Sequence, residues 1–341
     1  MNVVLQRENG LPHNKEAVLA ELNRYPFTPP FWLRNPHAQT IWGAVARRPA
    51  ATGLREERWE TPDGDFLDMV FLAGEPRHPT VLILHGLEGC AQSSYIKSML
   101  HIFQHHHWPA VVMQHRSCSG EINRMRQMYN AGFTGDVDFV VRRLLAENGV
   151  DRVCIAGFSL GGNIAAKWLG EQGSNLPAGV TAAALISSPY DLTAAACHID
   201  RALFGLYTKR FLRSLIPKAV AKHGQYPGIV DIAKVRASKT FEDFDTHATA
   251  ALHGYRDAFE YWADASCERY LGEIKAPLLC INALDDPFIP AETLPHTIAK
   301  QSPYVHGLFP ARGGHVGFIQ AHRWSWAEEQ VLRFFQAVLS N

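Results

Sequence analysis

Val153-Cys-Ile-Ala-Gly157-Phe-Ser159-Leu-Gly161-Gly-Asn-Ile164 is the stretch on which the reading of the chain turns. Val153 to Ala156 is a short apolar, partly β-branched run, the pattern of a strand buried on both faces. From Leu160 to Trp168 the residues mix Ala, Leu, Ile and Lys as a helix does, and Gly170 stands where a C-terminal stop belongs. Between the two lies Gly157-Phe-Ser159-Leu-Gly161, a G-x-S-x-G sequence. In a strand-to-helix turn this tight, residues two before and two after the serine have no room for a Cβ. The turn holds the hydroxyl out of the sheet, beside the unpaired N–H groups of a first helical turn, where developing negative charge can be met. A Gly/Ser linker would look the same over five residues. The rest of the chain must therefore supply a histidine, an acid and a second N–H donor in the right order.

Outward from this turn the pattern alternates. Thr80 to His85 and Ala110 to Gln114 read as apolar strands, with helical spacing from Ser93 to Phe103 between them. Thr134 can cap a helix carrying Val137, Val140, Val141, Leu144 and Leu145, ended near Gly149. Val180 to Ile186 follows the serine helix as another strand. Alternating strands and helices predict parallel βαβ units, hence an α/β fold with a mostly parallel central sheet and helices on both faces. Before them, Arg55 to Thr61 and Phe66 to Leu72 flank Pro62-Asp-Gly-Asp65, a hairpin signal.

The rhythm stops from 189 to 275, which reads as a mostly helical lid or cap over the sheet, with patches at Ile199 to Ile216 and His253 to Trp262. It returns with strand Pro277 to Ile281, helix Ala291 to Lys300 and strand Val305 to Phe309. A final amphipathic helix, Trp324 to Leu339, turns Trp326, Val331, Phe334 and Phe335 to the core. Residues 51–188 and 276–341 thus form one core. Residues 1–50, broken by Pro26, Pro29, Pro30 and Pro36, read as an irregular arm whose Phe27, Phe31, Trp32 and Trp42 pack on it.

Composition narrows the function. The 33 basic and 33 acidic residues balance, and no basic run appears, which argues against a nucleic-acid partner. His105-His-His107 falls at a helix end, where consecutive side chains cannot face one metal; it reads as a solvated terminus. Six cysteines include no C-x-x-C pair, and Cys154 and Cys280 sit in strand-like runs, so reduced thiols are expected, with no disulfide framework or zinc site. The first thirty residues carry Arg7, Glu8, Lys15, Glu16 and Glu21 without a signal-peptide core. No run reaches the ~18–20 apolar residues that span a bilayer. The expectation is a soluble cytoplasmic protein with no transmembrane segment, peripheral membrane contact being left open. The oligomeric state has no signal in the sequence.

A serine hydroxyl needs a base, commonly a histidine oriented by a buried carboxylate. In an open parallel sheet such groups gather at the carboxyl ends of strands. After Ile281 comes Asn282-Ala-Leu-Asp285-Asp286-Pro-Phe-Ile-Pro290, and after Phe309 comes Ala311-Arg-Gly-Gly-His315-Val-Gly317. Asp286 is favoured over Asp285 by its Asp-x-x-x-Pro spacing to Pro290. Ser159, Asp286, His315 is the chain order of α/β-hydrolases. The second oxyanion donor should lie in the loop after the third core strand, His85-Gly-Leu-Glu-Gly89. Backbone N–H groups of Leu87 and Leu160 are the candidates. Glu88 reads as a loop carboxylate held by local hydrogen bonds, His85 as structural and Arg116 as a tie between loops. Cys118 lacks the turn that a nucleophile needs.

On these residues the chain resembles the YheT-like branch of the α/β-hydrolase superfamily, which also holds the eukaryotic abhydrolase-domain lipid hydrolases. The resemblance covers nearly the whole chain. It rests on Asn35-Pro-His-Ala-Gln-Thr40, His85-Gly-Leu-Glu-Gly89, Arg116-Ser-Cys-Ser-Gly120, Gly157-Phe-Ser-Leu-Gly-Gly-Asn163, His253-Gly-Tyr255, Asp285-Asp-Pro-Phe288 and Gly313-Gly-His-Val-Gly-Phe318. One departure is Ser117, where the family usually has glycine. The resemblance implies Ser159 as nucleophile, Asp286 as acid, His315 as base and no cofactor. It implies hydrolysis of small-molecule or lipid carboxylic esters, short-chain esters, acylglycerols and phospholipids among them. The same triad would serve a thioesterase, an amide-cleaving enzyme or an acyltransferase, and a lipid-binding protein without turnover is the non-enzymatic alternative.

Overall fold

The computed structural model describes residues 14–46, 51–147, 149–321 and 326–340. Parts of two expectations lie outside them: residues 1–13 and 47–50 of the arm, and the first two residues of the last helix. Eight strands form one sheet: β1 (Arg55–Glu60), β2 (Phe66–Leu72), β3 (Thr80–Leu84), β4 (Ala110–Gln114), β5 (Val153–Phe158), β6 (Val180–Ile186), β7 (Leu278–Ile281) and β8 (Val305–Leu308). Their order is β1-β2-β4-β3-β5-β6-β7-β8. The hairpin β1–β2 and the β2–β4 pair are antiparallel, and every other pair is parallel.

Period-two burial explains why the central strands are apolar throughout. Leu82 and Leu84 of β3, Val111 and Met113 of β4, and Val153 and Ile155 of β5 face one core. Val81 and Ile83, Ala110 and Val112, and Cys154, Ala156 and Phe158 face the other. The first core is closed by helices Gly135–Ala146 and Leu160–Gln172. Helices Ser94–His105 and Trp326–Ser340 close the second, with Trp326, Val331, Phe334 and Phe335 buried as expected.

Between β6 and β7 the described chain forms helices alone, among them Leu192–Arg201, Leu206–Gln225, Ile232–Ala237 and Ala258–Ala265. The two predicted patches there are displaced. The first is cut at 202–205, where Leu203, Phe204 and Gly205 all take positive φ. The second begins at Ala258 because Gly254, at φ 85°, ends the helix before it.

Other expectations need correction. The helix after Ser159 runs to Gln172, and the stop is Gly173, with φ 49°. Gly170 lies inside the helix, where a Cβ would sit 2.3 Å from Tyr270 O; it is small to admit a neighbouring segment. Thr134 makes no side-chain cap, its hydroxyl donating to Glu171 Oε2 at 2.6 Å. Ala291 to Lys300 is split at Pro295 into a 3₁₀ turn, Ala291–Thr293, and a helix, His296–Gln301.

The described arm is ordered, not irregular. It holds helix Lys15–Asn23, the 3₁₀ turn Phe31–Leu33 and helix Pro36–Val45. Pro36 begins the last of these at its first position, and the Asn35 side chain caps it by accepting from the His37 and Ala38 N–H groups. Phe27 packs on Phe318 and Trp326, but Phe31, Trp32 and Trp42 are exposed, against expectation.

Candidate active site

Ser159 follows β5 directly, at φ 52°, ψ −122°, a conformation costly for any residue with a side chain. Its neighbours explain why the turn holds. A Cβ on Gly157 would lie 2.6 Å from Gly161 O, and one on Gly161 would lie 2.5 Å from His85 O. The Ser159 N–H donates to Ile186 O at 2.8 Å, tying the turn to β6.

The structure brings the three predicted side chains together. Ser159 Oγ lies 2.9 Å from His315 Nε2. His315 Nδ1 donates to Asp286 Oδ2 at 2.9 Å and lies 3.1 Å from Oδ1. A carboxylate can only accept here, so in the neutral imidazole Nε2 is the bare nitrogen facing the hydroxyl. Asp286 follows β7, is fully buried at its side chain and also accepts the Phe288 N–H at 2.8 Å. Phe288 stacks on the His315 ring at 4.1 Å. Asp285 points elsewhere and accepts the Gly314 N–H at 3.0 Å; burial raises its pKa.

Leu87 and Leu160 flank the same point. A Cβ on Gly86 would lie 3.0 Å from Ser159 Cβ, so the Gly86–Glu88 loop runs against the serine. Among the described residues neither the Leu87 nor the Leu160 N–H has an acceptor. Beneath the loop, His85 is fully buried. Its Nδ1 donates to Gly86 O at 2.8 Å and its Nε2 accepts the His115 N–H at 3.0 Å. Desolvation lowers its pKa to about 4, fixing it as a neutral support. Glu88 accepts from Tyr129 Oη at 2.8 Å and from Lys218 Nζ at 2.6 Å, while its N–H donates to Tyr129 Oη at 2.9 Å. It is thus held in a structural network, as expected, but by partners far away in sequence and by a cation, not by its own loop.

Ser159, Leu87, Phe288 and His315 line two spaces. One is an apolar cavity of about 140 Å³ beneath the helices between β6 and β7, with Leu192, Ile199, Phe244, Leu252 and Trp262 in its wall. The other is a groove of about 680 Å³, bounded by Ile41, Val45, Tyr207, Arg210 and Arg213. Among the described residues no cluster of His, Cys, Asp and Glu is arranged to hold a metal ion.

Residues 79–321 match the model of the alpha/beta hydrolase fold family. The chain is 34% identical to the Escherichia coli (strain K12) protein YheT, over 89% of this chain and 91% of that one. The chain belongs to the α/β-hydrolase family, in its YheT-like branch. It is 29% identical to the mouse phospholipase ABHD3, over 92% of this chain and 79% of that one. The Pyrococcus furiosus esterase Pf2001 shares the fold, with a TM-score of 0.55 at 14% identity, covering 91% of this chain and 98% of that one.

Several motifs of this α/β-hydrolase acquire physical roles. Arg116 is buried and ion-paired with Asp63 at 2.7 Å, Asp65 at 3.1 Å and Asp136 at 2.6 Å, a tie between loops. Ser117 has φ 66°, a left-handed conformation that glycine adopts at no steric cost. Here its hydroxyl donates to Asn123 Oδ1 at 2.7 Å, which holds the strained backbone. Burial pushes the Cys118 thiol up to about 12, which disfavours the thiolate. The sequence reading missed what Asn35-Pro-His-Ala-Gln-Thr40 does. Gln39 and Thr40 grip the histidine loop: Gln39 accepts the Ile319 N–H at 2.8 Å, and Thr40 Oγ1 accepts the His315 N–H at 2.9 Å.

Proposed function

We propose that the protein is a serine hydrolase of carboxylic esters, of the short-chain esterase or acylglycerol-lipase kind. The observation that carries this reading is the chain of contacts from Asp286 through His315 to Ser159, at the junction of an apolar cavity and an open groove. Ser159 Oγ attacks the ester carbonyl while His315 Nε2 takes its proton; Asp286 stabilises the imidazolium. The carbonyl oxygen becomes an oxyanion held by the Leu87 and Leu160 N–H groups, each such donor worth about 2.7–4 kcal/mol in the transition state. His315 then protonates the leaving alcohol. Water, deprotonated by the same nitrogen, cleaves the acyl-enzyme and frees the acid. No cofactor takes part.

The acyl chain occupies the apolar cavity and the alcohol part the groove. Residues 189–275 act as a cap that shapes the cavity, over a core of 51–188 and 276–341, with 1–50 as an arm on that core. Six free cysteines suit a reducing compartment, and the reading includes a cytoplasmic location.

A fluorophosphonate probe should label the wild-type protein at Ser159, and Ser159→Ala should abolish both labelling and turnover of p-nitrophenyl esters. Undiminished hydrolysis by Ser159→Ala would end this reading.

A further inference from the structure

The chain carries no net charge, yet its charges are segregated. Residues 22–55 contain five arginines and no acidic residue; residues 201–230 contain six Lys and Arg and again no acidic residue. These two segments meet at the groove. His37 Nδ1 lies 3.0 Å from Tyr207 Oη, joining helix Pro36–Val45 to helix Leu206–Gln225. Lys209, Arg210 and Arg213 are exposed on the second helix and have no ion-pair partner among the described residues.

The same rim gathers apolar surface. Of ten exposed large hydrophobic side chains among the described residues, eight lie on these two segments, seven of them at 31–45 and 204–206: Phe31, Trp32, Ile41, Trp42, Val45, Phe204 and Leu206. Phe204 is 99% exposed and Phe31 81%. Phe204 stands at the centre of three consecutive left-handed residues, a conformation that costs about 1–2 kcal/mol for each non-glycine. Nothing among the described residues covers the side chain so displayed. Ile41, Val45, Arg210 and Arg213 line the very groove that has Ser159 and His315 in its wall. Apolar side chains interleaved with unpaired cations form a surface that enters the headgroup region of an anionic bilayer.

We propose that this basic, apolar rim docks the protein on an anionic lipid surface, with the mouth of the groove turned towards the lipid. Docking itself does not require Ser159 chemistry. The delivery of an ester from the lipid to Ser159 does rest on the esterase reading. The apolar side chains enter between headgroups and the arginines and lysine lie against the anionic charge.

Co-sedimentation of the full chain with vesicles tests this. The protein should bind vesicles of mixed phosphatidylglycerol and phosphatidylcholine, bind phosphatidylcholine vesicles far less, and release in high salt. Phe31→Asp/Phe204→Asp should lose binding yet hydrolyse a water-soluble p-nitrophenyl ester at the wild-type rate. Arg210→Gln/Arg213→Gln should weaken binding about 25-fold, at about fivefold per cation removed. Ser159→Ala should bind as the wild type does. If wild-type protein hydrolyses soluble ester but ignores anionic vesicles, docking is overturned and the esterase reading stands. If vesicles bind normally and no ester is cleaved, the reverse holds. Equal binding by the Phe31/Phe204 variant, or self-association that this variant abolishes in place of vesicle binding, also overturns the proposal, the latter in favour of a second copy of the chain.

Discussion

The backbone N–H of His315 donates to Thr40 Oγ1 at 2.9 Å, across 275 positions of sequence. The Thr40 hydroxyl proton is directed to Pro36 O at 2.8 Å, so the oxygen presents a lone pair to the histidine loop. Thr40→Val keeps the shape and removes the acceptor, and a buried donor left unpaired costs about 1–3 kcal/mol. The loop should shift, slowing both turnover and fluorophosphonate labelling about tenfold or more, while Thr40→Ser retains most of the rate. Labelling of Thr40→Val at the wild-type rate would show that the contact does not position His315.

Asp285 and Asp286 are adjacent but face different partners, so their amides should behave differently. Asp286→Asn deprives His315 Nδ1 of its carboxylate and should lower kcat by about 10⁴. Asp285→Asn still offers an oxygen to the Gly314 N–H, and burial already disfavours the charge there. Its effect should stay within about fivefold. Kinetics on a p-nitrophenyl ester separate the two; equal losses would refute the assignment of Asp286 as the acid.

Lys218 reaches from the long helix between β6 and β7 to Glu88, the residue after Leu87. Both side chains are largely buried. Lys218→Met leaves the carboxylate without its cation and should destabilise the fold by on the order of 2 kcal/mol. Glu88→Gln/Lys218→Met should recover part of the loss, since the amide oxygen of the substituted side chain can still accept from Tyr129. A double-mutant cycle in urea should give a coupling of about 0.5–3 kcal/mol. Strict additivity would mean that the contact contributes nothing.

His85 gives stability a pH slope. Its folded pKa, about 4, lies below the ordinary histidine value of about 6.5. Between these values the unfolded chain binds a proton that the folded one refuses, so stability falls as pH drops through this window. The advantage of wild type over His85→Gln, read from urea midpoints, should therefore shrink from pH 7 towards pH 4. A constant difference would mean that His85 protonates without penalty in place.

The strands, the serine turn and the order Ser159, Asp286, His315 were legible because each signal is local: an apolar run, a glycine pattern, a loop after a strand. The fit of Gly170 against Tyr270 and the grip of Thr40 on His315 were not, since both depend on residues far away in sequence. The helices between β6 and β7 were legible as a class but not in their limits. They bury side chains both against the sheet and against one another, which blurs a single apolar stripe, and their breaks lie at Leu203–Gly205 and Gly254, where backbone handedness decides. Aromatic content misled in the arm, because a ring that contacts the core and one that faces solvent are spelled alike.

Asn163 lies one turn past the serine, fully buried. Its amide donates to Ala131 O and Ala265 O at 2.8 Å, and its oxygen accepts the Cys267 N–H at 2.9 Å. Two remote stretches of chain, at 131 and at 265–267, therefore converge on one carboxamide. Natural variation should be tolerated freely at the outward tips of the helices between β6 and β7, yet be nearly frozen where the polypeptide comes back to the sheet. Length changes near 265 would have to be rejected as firmly as changes at the Ser159 turn itself, although neither Ala265 nor Cys267 lines either space beside that serine.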